Sequence, residues 1–188
     1  MKRIYAKLNM HHLIGLGITV LMVSVDQITK ALARSFIPNQ FGSFNEEPIK
    51  IIPNFFHLIE HHNYGVAWSQ FENNFFILYL VPVLALLAFG YFSVKANFQT
   101  KKFYSIGIFL AIAGTIGNFI DRLLFGYVVD FIQFIFGSYT YPTFNVADMC
   151  LVVGIIMLSI DIIFLESKRD DAVTISEEDE KLGDADAL

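Results

Sequence analysis

The chain of 188 residues is too apolar for an ordinary soluble domain, because 55% of its residues are hydrophobic and only 16% are charged. Its one cysteine excludes an internal disulfide framework, and the sequence shows neither a basic face for nucleic acid nor a glycine-rich nucleotide-binding loop. The net charge of −5 comes from an acidic C-terminal tail, so the rest of the chain is close to neutral. This composition indicates an integral membrane protein.

Apolar stretches of about 20 residues, the length that crosses a bilayer, predict transmembrane helices. There are four of them, namely Leu13–Ala33, Phe75–Val94, Phe103–Ile120 and Met149–Leu165. The first follows a basic start, as a signal peptide would, but it is long and lacks a small-x-small cleavage site, so we expect a retained helix. The predicted fold class is an all-α polytopic membrane protein, with residues 1–168 as the membrane-embedded domain.

Two segments outside these helices have compositions of their own. Residues 49–59 are rich in Ile, Phe and His and are bounded by Pro48 and broken by Pro53, which predicts short strands or an amphipathic piece at the membrane surface. Residues 169–188 are acidic and contain no aromatic residue, which predicts a disordered cytoplasmic tail without a chemical role.

The distribution of basic residues predicts the orientation of the chain in the membrane. Basic groups lie before the first helix, between the second and third, and after the fourth, and the positive-inside rule places these groups in the cytoplasm. They are Lys2, Arg3, Lys7, Lys95, Lys101, Lys102, Lys168 and Arg169. Both termini are then cytoplasmic, and residues 34–74 and 121–148 face the outer side.

This topology brings polar side chains from several separate segments to the outer membrane face. In chain order they are Asp26, Gln27, Lys30, Asn63, Asn118, Asp121, Arg122, Asp130, Asn145 and Asp148. Polar side chains at membrane depth are costly and tend to be functional, and random placement would have spread them over both faces. Their convergence therefore predicts a functional site.

The charged pairs in this set also have structural interpretations. Asp26 and Lys30 are one helical turn apart, and an ion pair at a helix end is sufficient to explain them. Asp121 stands beside Arg122, and these two can form a second ion pair.

The three asparagines have structural interpretations as well. Asn63 precedes Tyr-Gly and suits a turn. Asn118 can link helices, and Asn145 can cap the fourth helix with an acidic residue in its first turn.

Asp130 is harder to explain structurally, because it lies among Val128, Val129 and Phe131, where partial desolvation raises the pKa of a carboxyl group. Asp148 also has apolar neighbours. Two such aspartates placed together cannot both ionise easily, so they would share one proton, with one acting as base towards water and the other as acid towards a carbonyl. The spacing alone leaves open whether the two meet.

A zinc peptidase is the competing catalytic interpretation, because His57-Leu58-Ile59-Glu60-His61 matches the H-x-x-E-H pattern. That pattern needs a helix with both histidines on one face, and the prolines before it and the turn after it leave too short a segment. We therefore predict no metal site. Asp161 lies about 20 Å from Asp148 by helical rise and is expected to be structural.

The chain resembles the lipoprotein signal peptidases, or type II signal peptidases, over nearly its whole length up to about residue 168. The resemblance rests on ordered motifs whose combination is specific. They are D-Q-I-T-K at 26–30, N-Y-G-V-A-W at 63–68, G-N-F-I-D-R at 117–122, V-V-D-F at 128–131 and F-N-V-A-D at 144–148. The His-rich residues 57–62 and the acidic tail depart from the family pattern.

The resemblance implies a membrane aspartic endopeptidase that removes the signal peptide from a prolipoprotein, cutting immediately before a cysteine that carries a diacylglyceryl group. It implies that Asp130 and Asp148 are the catalytic dyad. It implies supporting roles for Asn63, Asn118, Arg122, Asn145, Asp26 and Lys30. We expect no cofactor, a monomer in contact with membrane lipids, and an active site near the outer face of the bacterial cytoplasmic membrane.

Two other classes of protein also place acids in membranes. A transporter or proton relay would put them near the midplane, often within repeats and broken helices, and this sequence shows no repeat. A structural membrane subunit would use the polar cluster only to hold its helices together. Replacement of Asp130 by Asn separates these classes, because only a peptidase would stay folded and lose cleavage.

Overall fold

A computed structural model describes residues 10–38, 47–65, 74, 76–167 and 169 of the chain. Within these ranges the structure has four helices that are long and apolar enough to cross a membrane. The elements in chain order are α1 (Met10–Phe36), β1 (Ile49–Ile52), β2 (Phe56–Asn63), α2 (Val81–Ser93), α3 (Lys102–Phe125), β3 (Val128–Phe136), β4 (Tyr139–Thr140) and α4 (Val146–Ile160). A π-helical turn, Phe76–Leu80, precedes α2, and another, Asp161–Leu165, continues α4. The predicted four-helix membrane fold is confirmed.

Two helix boundaries differ from the prediction at the polar end of the molecule. α3 continues past Ile120 to Phe125, and α4 begins at Val146 rather than at Met149. A prediction from hydropathy ends a helix where charged residues appear. Here, however, the polar residues have partners on other helices, so the helices continue through them. α3 ends at Gly126, whose φ of 80° places it in the left-handed region while its N–H bonds to the carbonyl of Arg122.

α3 is the central helix, and the others pack around it. Within its most apolar window 61% of the residues are buried, against 6% in the span that contains α2. Glycines allow α3 and α4 to approach closely: a Cβ added at Gly107 would lie 2.8 Å from the carbonyl oxygen of Gly154. Such a seam fixes the height of α4 against α3, and therefore the height of the first turn of α4.

The sheet extends from the polar end of the helices and has four strands in the order β1-β2-β3-β4, all antiparallel. The prediction of short strands around residues 49–59 is confirmed. β3 was not predicted as a strand; it pairs with β2 so that His61 lies opposite Asp130 and Asn63 lies opposite Val128. β3 thereby brings Asp130 to the end of α3.

Several predictions concern residues outside the described ranges. They include the basic groups at residues 2–7 and Lys168, the end of the N-Y-G-V-A-W motif at residues 66–68, and the acidic tail from residue 170 onward. The orientation of the chain in the membrane stays a prediction.

Candidate active site

Asp130 and Asp148 line one cavity of about 820 Å³ at the junction of the sheet and the helices. The polar part of its lining comes from β2, β3, α3 and the first turn of α4. An apolar wall comes from α2 and α4 and is formed by Val81, Pro82, Ala85, Phe89, Leu151, Val152 and Ile155. The structure thus brings together the two aspartates that the sequence singled out, in an amphiphilic cavity.

Asp130 is held by two amide side chains. Its Oδ1 accepts a hydrogen bond from Nδ2 of Asn145 at 2.7 Å, and its Oδ2 accepts one from Nδ2 of Asn63 at 3.0 Å. Only 1% of the residue is exposed. Burial, and then the charge of Asp148, raise the pKa of Asp130 from 3.8 to about 8, although the two hydrogen bonds oppose the shift. This shift favours the protonated form of Asp130 at neutral pH.

Asp148 is fixed by the N-terminus of α4. Asn145 adopts an extended conformation and caps the helix: its Oδ1 accepts from the backbone N–H of Asp148 at 2.9 Å, and Asp148 Oδ2 accepts from the backbone N–H of Asn145 at 3.1 Å. Asp148 Oδ1 also accepts from Nδ2 of Asn118 at 2.7 Å. The capping role considered for Asn145 is confirmed, and the same side chain reaches both aspartates.

Asn63 and Arg122 hold the chain that follows β2 beside Asp130. Oδ1 of Asn63 accepts from the backbone N–H of Gly65 at 3.0 Å, which forms the expected turn. Arg122 donates to the carbonyl oxygen of Gly65 at 3.0 Å. The interpretation of Asp121 and Arg122 as an ion pair is wrong. Asp121 instead pairs with Lys30, with 2.9 Å between Oδ2 and Nζ.

Asp26 and Lys30 form the expected ion pair, at 2.9 Å, but it is not an interface pair at a helix end. Both residues are only 1% exposed. They lie directly behind the dyad, because Lys30 also donates to Oδ1 of Asn118 at 3.0 Å. Of the residues predicted to support the dyad, Asn63, Asn118 and Asn145 therefore contact it directly. Asp26, Lys30 and Arg122 are linked to it through other residues.

The cavity lining also includes His61 and Gln133, which sequence reasoning did not place at the site. For His61 the missing information was the pairing of β2 with β3, which puts it opposite Asp130. For Gln133 no sequence signal was available, because side-chain alternation along a strand puts residues 130 and 133 on opposite faces.

The H-x-x-E-H pattern does not have the geometry that a zinc site needs, since residues 57–61 are part of strand β2 rather than a helix. Across the ranges that the structure describes, no three or more His, Cys, Asp or Glu side chains are grouped to hold a metal ion.

Asp161 lies at the other end of α4, in the predicted structural position. It is buried and forms a bidentate pair with Arg169, with N–O distances of 2.9 and 2.7 Å. It has no connection to the dyad.

Known proteins match most of the chain. A family model described as "Signal peptidase (SPase) II" matches residues 18–164. A lipoprotein signal peptidase of Lactiplantibacillus plantarum is 40% identical over 85% of this chain and 97% of its own length. One from Bacillus pumilus is 33% identical over 84% of this chain and 97% of its own length.

Two solved structures, each described as a bacterial membrane enzyme, share the fold. One is 33% identical with a TM-score of 0.69, over 83% of this chain and 90% of that chain. The other is 32% identical with a TM-score of 0.68, over 80% of this chain and 93% of that chain. The match of the family model over most of the chain, together with these relatives, shows that this membrane protein belongs to the signal peptidase II family of peptidases.

Proposed function

We propose that the chain is an aspartic endopeptidase that removes the signal peptide from diacylglyceryl-modified prolipoproteins by cutting immediately before the lipidated cysteine. The observation that carries the proposal is the placement of Asp130 and Asp148 in one cavity. The side chain of Asn145 forms hydrogen bonds with the carboxyl group of Asp130 and with the backbone N–H of Asp148. The name of the relatives, lipoprotein signal peptidase, supports the substrate class.

In the proposed mechanism, Asp130 starts protonated and Asp148 starts ionised. Asp148 removes a proton from water as the water oxygen attacks the scissile carbonyl carbon, and Asp130 gives its proton to the carbonyl oxygen. The resulting neutral gem-diol collapses when the C–N bond breaks. Asp148 then protonates the leaving amine, and a diol hydroxyl returns its proton to Asp130, which restores the starting state.

The lining of the cavity suits a substrate that is itself a membrane segment with a lipid attached. Its apolar wall comes from α2 and α4, and the dyad lines the same cavity. A diacylglyceryl group and an apolar signal peptide can lie against the wall while the scissile bond reaches the carboxylates. In this proposal the enzyme is a monomer, and the substrate enters the cavity from the surrounding lipid.

The proposed location is the bacterial cytoplasmic membrane, with both termini inside and the dyad near the outer face. Lys95, Lys101 and Lys102 support this orientation, because they lie in and beside the α2–α3 connection, at the end of α3 away from the dyad.

The decisive experiment replaces each catalytic residue. Asp130→Asn and Asp148→Asn should each lower cleavage of a diacylglyceryl prolipoprotein roughly 10³-fold or more, while the folded protein is retained, because Asn cannot exchange the proton with water. The double variant should be hardly worse than either single one. Cleavage is read from the mobility shift on a gel.

Asp161→Asn is the matched control for this experiment, because it removes a buried carboxylate at the other end of α4. It should keep its activity. Near wild-type cleavage by both dyad variants would refute the mechanism, and equal cleavage of a prolipoprotein without the diacylglyceryl group would refute the proposed substrate.

A further inference from the structure

A buried ion cluster stands directly behind the dyad and takes no part in the chemistry described above. It consists of Asp26 and Lys30 on α1 and Asp121 on α3, each only 1% exposed. Lys30 Nζ lies 2.9 Å from Asp26 Oδ2, 2.9 Å from Asp121 Oδ2 and 3.0 Å from Asn118 Oδ1. All three protons of the ammonium group therefore have an acceptor.

Each carboxylate of the cluster also holds a backbone N–H. Asp26 Oδ1 accepts from the N–H of Ala147 at 2.8 Å, and Asp121 Oδ2 accepts from the N–H of Val129 at 3.0 Å. Ala147 immediately precedes Asp148, and Val129 immediately precedes Asp130. The same kind of clamp thus acts one residue before each catalytic aspartate, on a helix in one case and on a strand in the other.

The two clamps are tied to each other. Lys30 bridges the two carboxylates, and Gln27 Nε2 bridges them a second time, at 3.2 Å from Asp26 Oδ2 and 3.0 Å from Asp121 Oδ1. Lys30 also occupies Oδ1 of Asn118, which leaves Nδ2 of Asn118 to donate to Asp148 at 2.7 Å. The separation of the two clamped backbones is therefore set by α1 and α3 together.

Stability alone is a weak explanation for such a cluster. Burying charges is costly, and apolar residues of similar volume often hold a protein together equally well. Apolar residues could not, however, hold two backbone N–H groups at a fixed spacing.

We propose that Asp26, Lys30 and Asp121 are positioning residues that set the separation of Asp130 and Asp148 by clamping the backbone N–H groups of Ala147 and Val129. The inference rests on the proposed function, since it assigns a role towards that dyad. The cluster itself touches neither substrate nor water in the reaction.

The test uses an uncharged cluster of the same shape, the triple variant Asp26→Asn, Lys30→Met and Asp121→Asn. Its asparagine oxygens can still accept from the two backbone N–H groups, but the ionic bridge between the clamps is gone. Because a displacement of about 1 Å can cost about 10²-fold in rate, kcat should fall roughly 10- to 100-fold while KM stays within about 3-fold. Thermal unfolding in detergent reports whether the variant is folded.

The pH profile of kcat provides a readout that a merely structural role would not move. The charged or titratable groups around the dyad are Asp26 and Lys30 from α1, Asp121 and Arg122 from α3, His61 from β2, and Tyr141, which follows β4. Loss of charge in the triple variant should shift the acidic and the basic limb of the pH profile in the same direction. A larger separation of the dyad weakens the repulsion between its members, so the two limbs should also move closer together.

A second variant, Asp121→Glu, keeps the charge and lengthens the side chain by one methylene, so it decides the question if the triple variant does not fold. Positioning predicts the same loss of kcat in this variant, whereas an ion pair needed only for stability predicts none. The control is Asp161→Asn, which should leave kcat and the width of the pH profile unchanged.

The inference is overturned if wild type cleaves and Asp130→Asn does not, but the folded cluster variants keep kcat within about 2-fold and an unchanged pH profile width. The inference is also overturned if the folded cluster variants differ from wild type only in KM. Wild-type cleavage by the dyad variants would instead overturn the proposed function, so the two failures are distinguishable.

Discussion

The pKa of Asp130 is raised by burial and by the charge of Asp148, and this has an effect on stability. Its pKa is about 8 in the folded protein, against 3.8 in an ordinary environment. Between these values the folded state binds the proton that the unfolded state releases, so this residue lowers stability as the pH rises, by on the order of 1 kcal/mol per pH unit. The fold keeps this buried carboxyl group despite the loss of stability that it causes.

The thermal stability of Asp130→Asn should therefore compare more favourably with that of wild type at high pH than at low pH. The measurement is the unfolding temperature of both proteins in detergent at pH 5 and at pH 8. A difference that stays constant over this range, or that moves in favour of wild type, would show that Asp130 is not the proton carrier.

The pH dependence of the cleavage rate should reflect the same proton on Asp130. If Asp130 must be protonated to act as the acid, kcat/KM falls about tenfold per pH unit above about pH 8, and falls again in acid as the base is neutralised. The two apparent pKa values belong to the pair rather than to either residue. A kcat/KM that stays level from pH 7 to pH 10 would contradict the assignment of the acid.

His57 and His61 belong to a strand, so they cannot form the helical pair of a zinc peptidase. Treatment with a chelator should leave the cleavage rate unchanged, because in the proposed mechanism carboxylates alone activate the water. A loss of activity that zinc restores would move the assignment to this segment.

At the scale of elements, the seam between α3 and α4 sets the height of Asp148 through close glycine contacts. A Cβ added at Gly154 would lie 2.7 Å from both the carbonyl oxygen of Gly107 and the backbone nitrogen of Ala111. Gly154→Ala should therefore destabilise the protein by about 1–3 kcal/mol and reduce activity as the first turn of α4 moves. Thermal unfolding and a cleavage assay measure both effects.

Gly17→Ala on α1 and Gly90→Ala on α2 are the controls for this change, because an added Cβ meets nothing within 4 Å at either position. Both should unfold at or slightly above the wild-type temperature, since alanine favours helices. A Gly154 variant as stable as these controls would mean that the seam is not tightly packed.

Hydropathy predicts the four helices well because each span is a long and strongly apolar stretch. It places the end of α3 too early, because Asn118, Asp121 and Arg122 find partners on other segments, and a one-dimensional pattern does not contain those partners. The same limit applies to β3, whose apolar sequence does not reveal that it pairs with residues 56–63.

At the scale of the whole molecule, the orientation predicted from the basic residues has a direct test. In a variant with Cys150 replaced by Ala, a membrane-impermeant thiol reagent added outside should label a cysteine at Ser138, in the turn between β3 and β4. It should not label one at Lys101, before α3. The reverse pattern would place the dyad on the cytoplasmic side and would remove the basis for the proposed substrate.

The sequence identifies most members of the site but not how they are connected. Asp130 and Asp148 stand out as carboxylates among apolar neighbours, and the ordered motifs add the asparagines and Arg122. The clamp of Asp26 on Ala147 spans 121 positions, and the role of Asp121 depends on Lys30 rather than on its neighbour Arg122. Such connections become visible only when α1, α3 and α4 are in place.

The one-turn spacing of Asp26 and Lys30 also bears on how the chain is made. During synthesis α1 leaves the ribosome long before α3 and α4, so its buried lysine must enter the membrane without Asp121 or Asn118. The pair within α1 neutralises itself, because the two side chains meet at 2.9 Å along a single helix, and this lowers the cost of inserting the segment. In the proposed mechanism the nascent peptidase therefore stays inert until its final span has been integrated, because Asp148 emerges with the last helix.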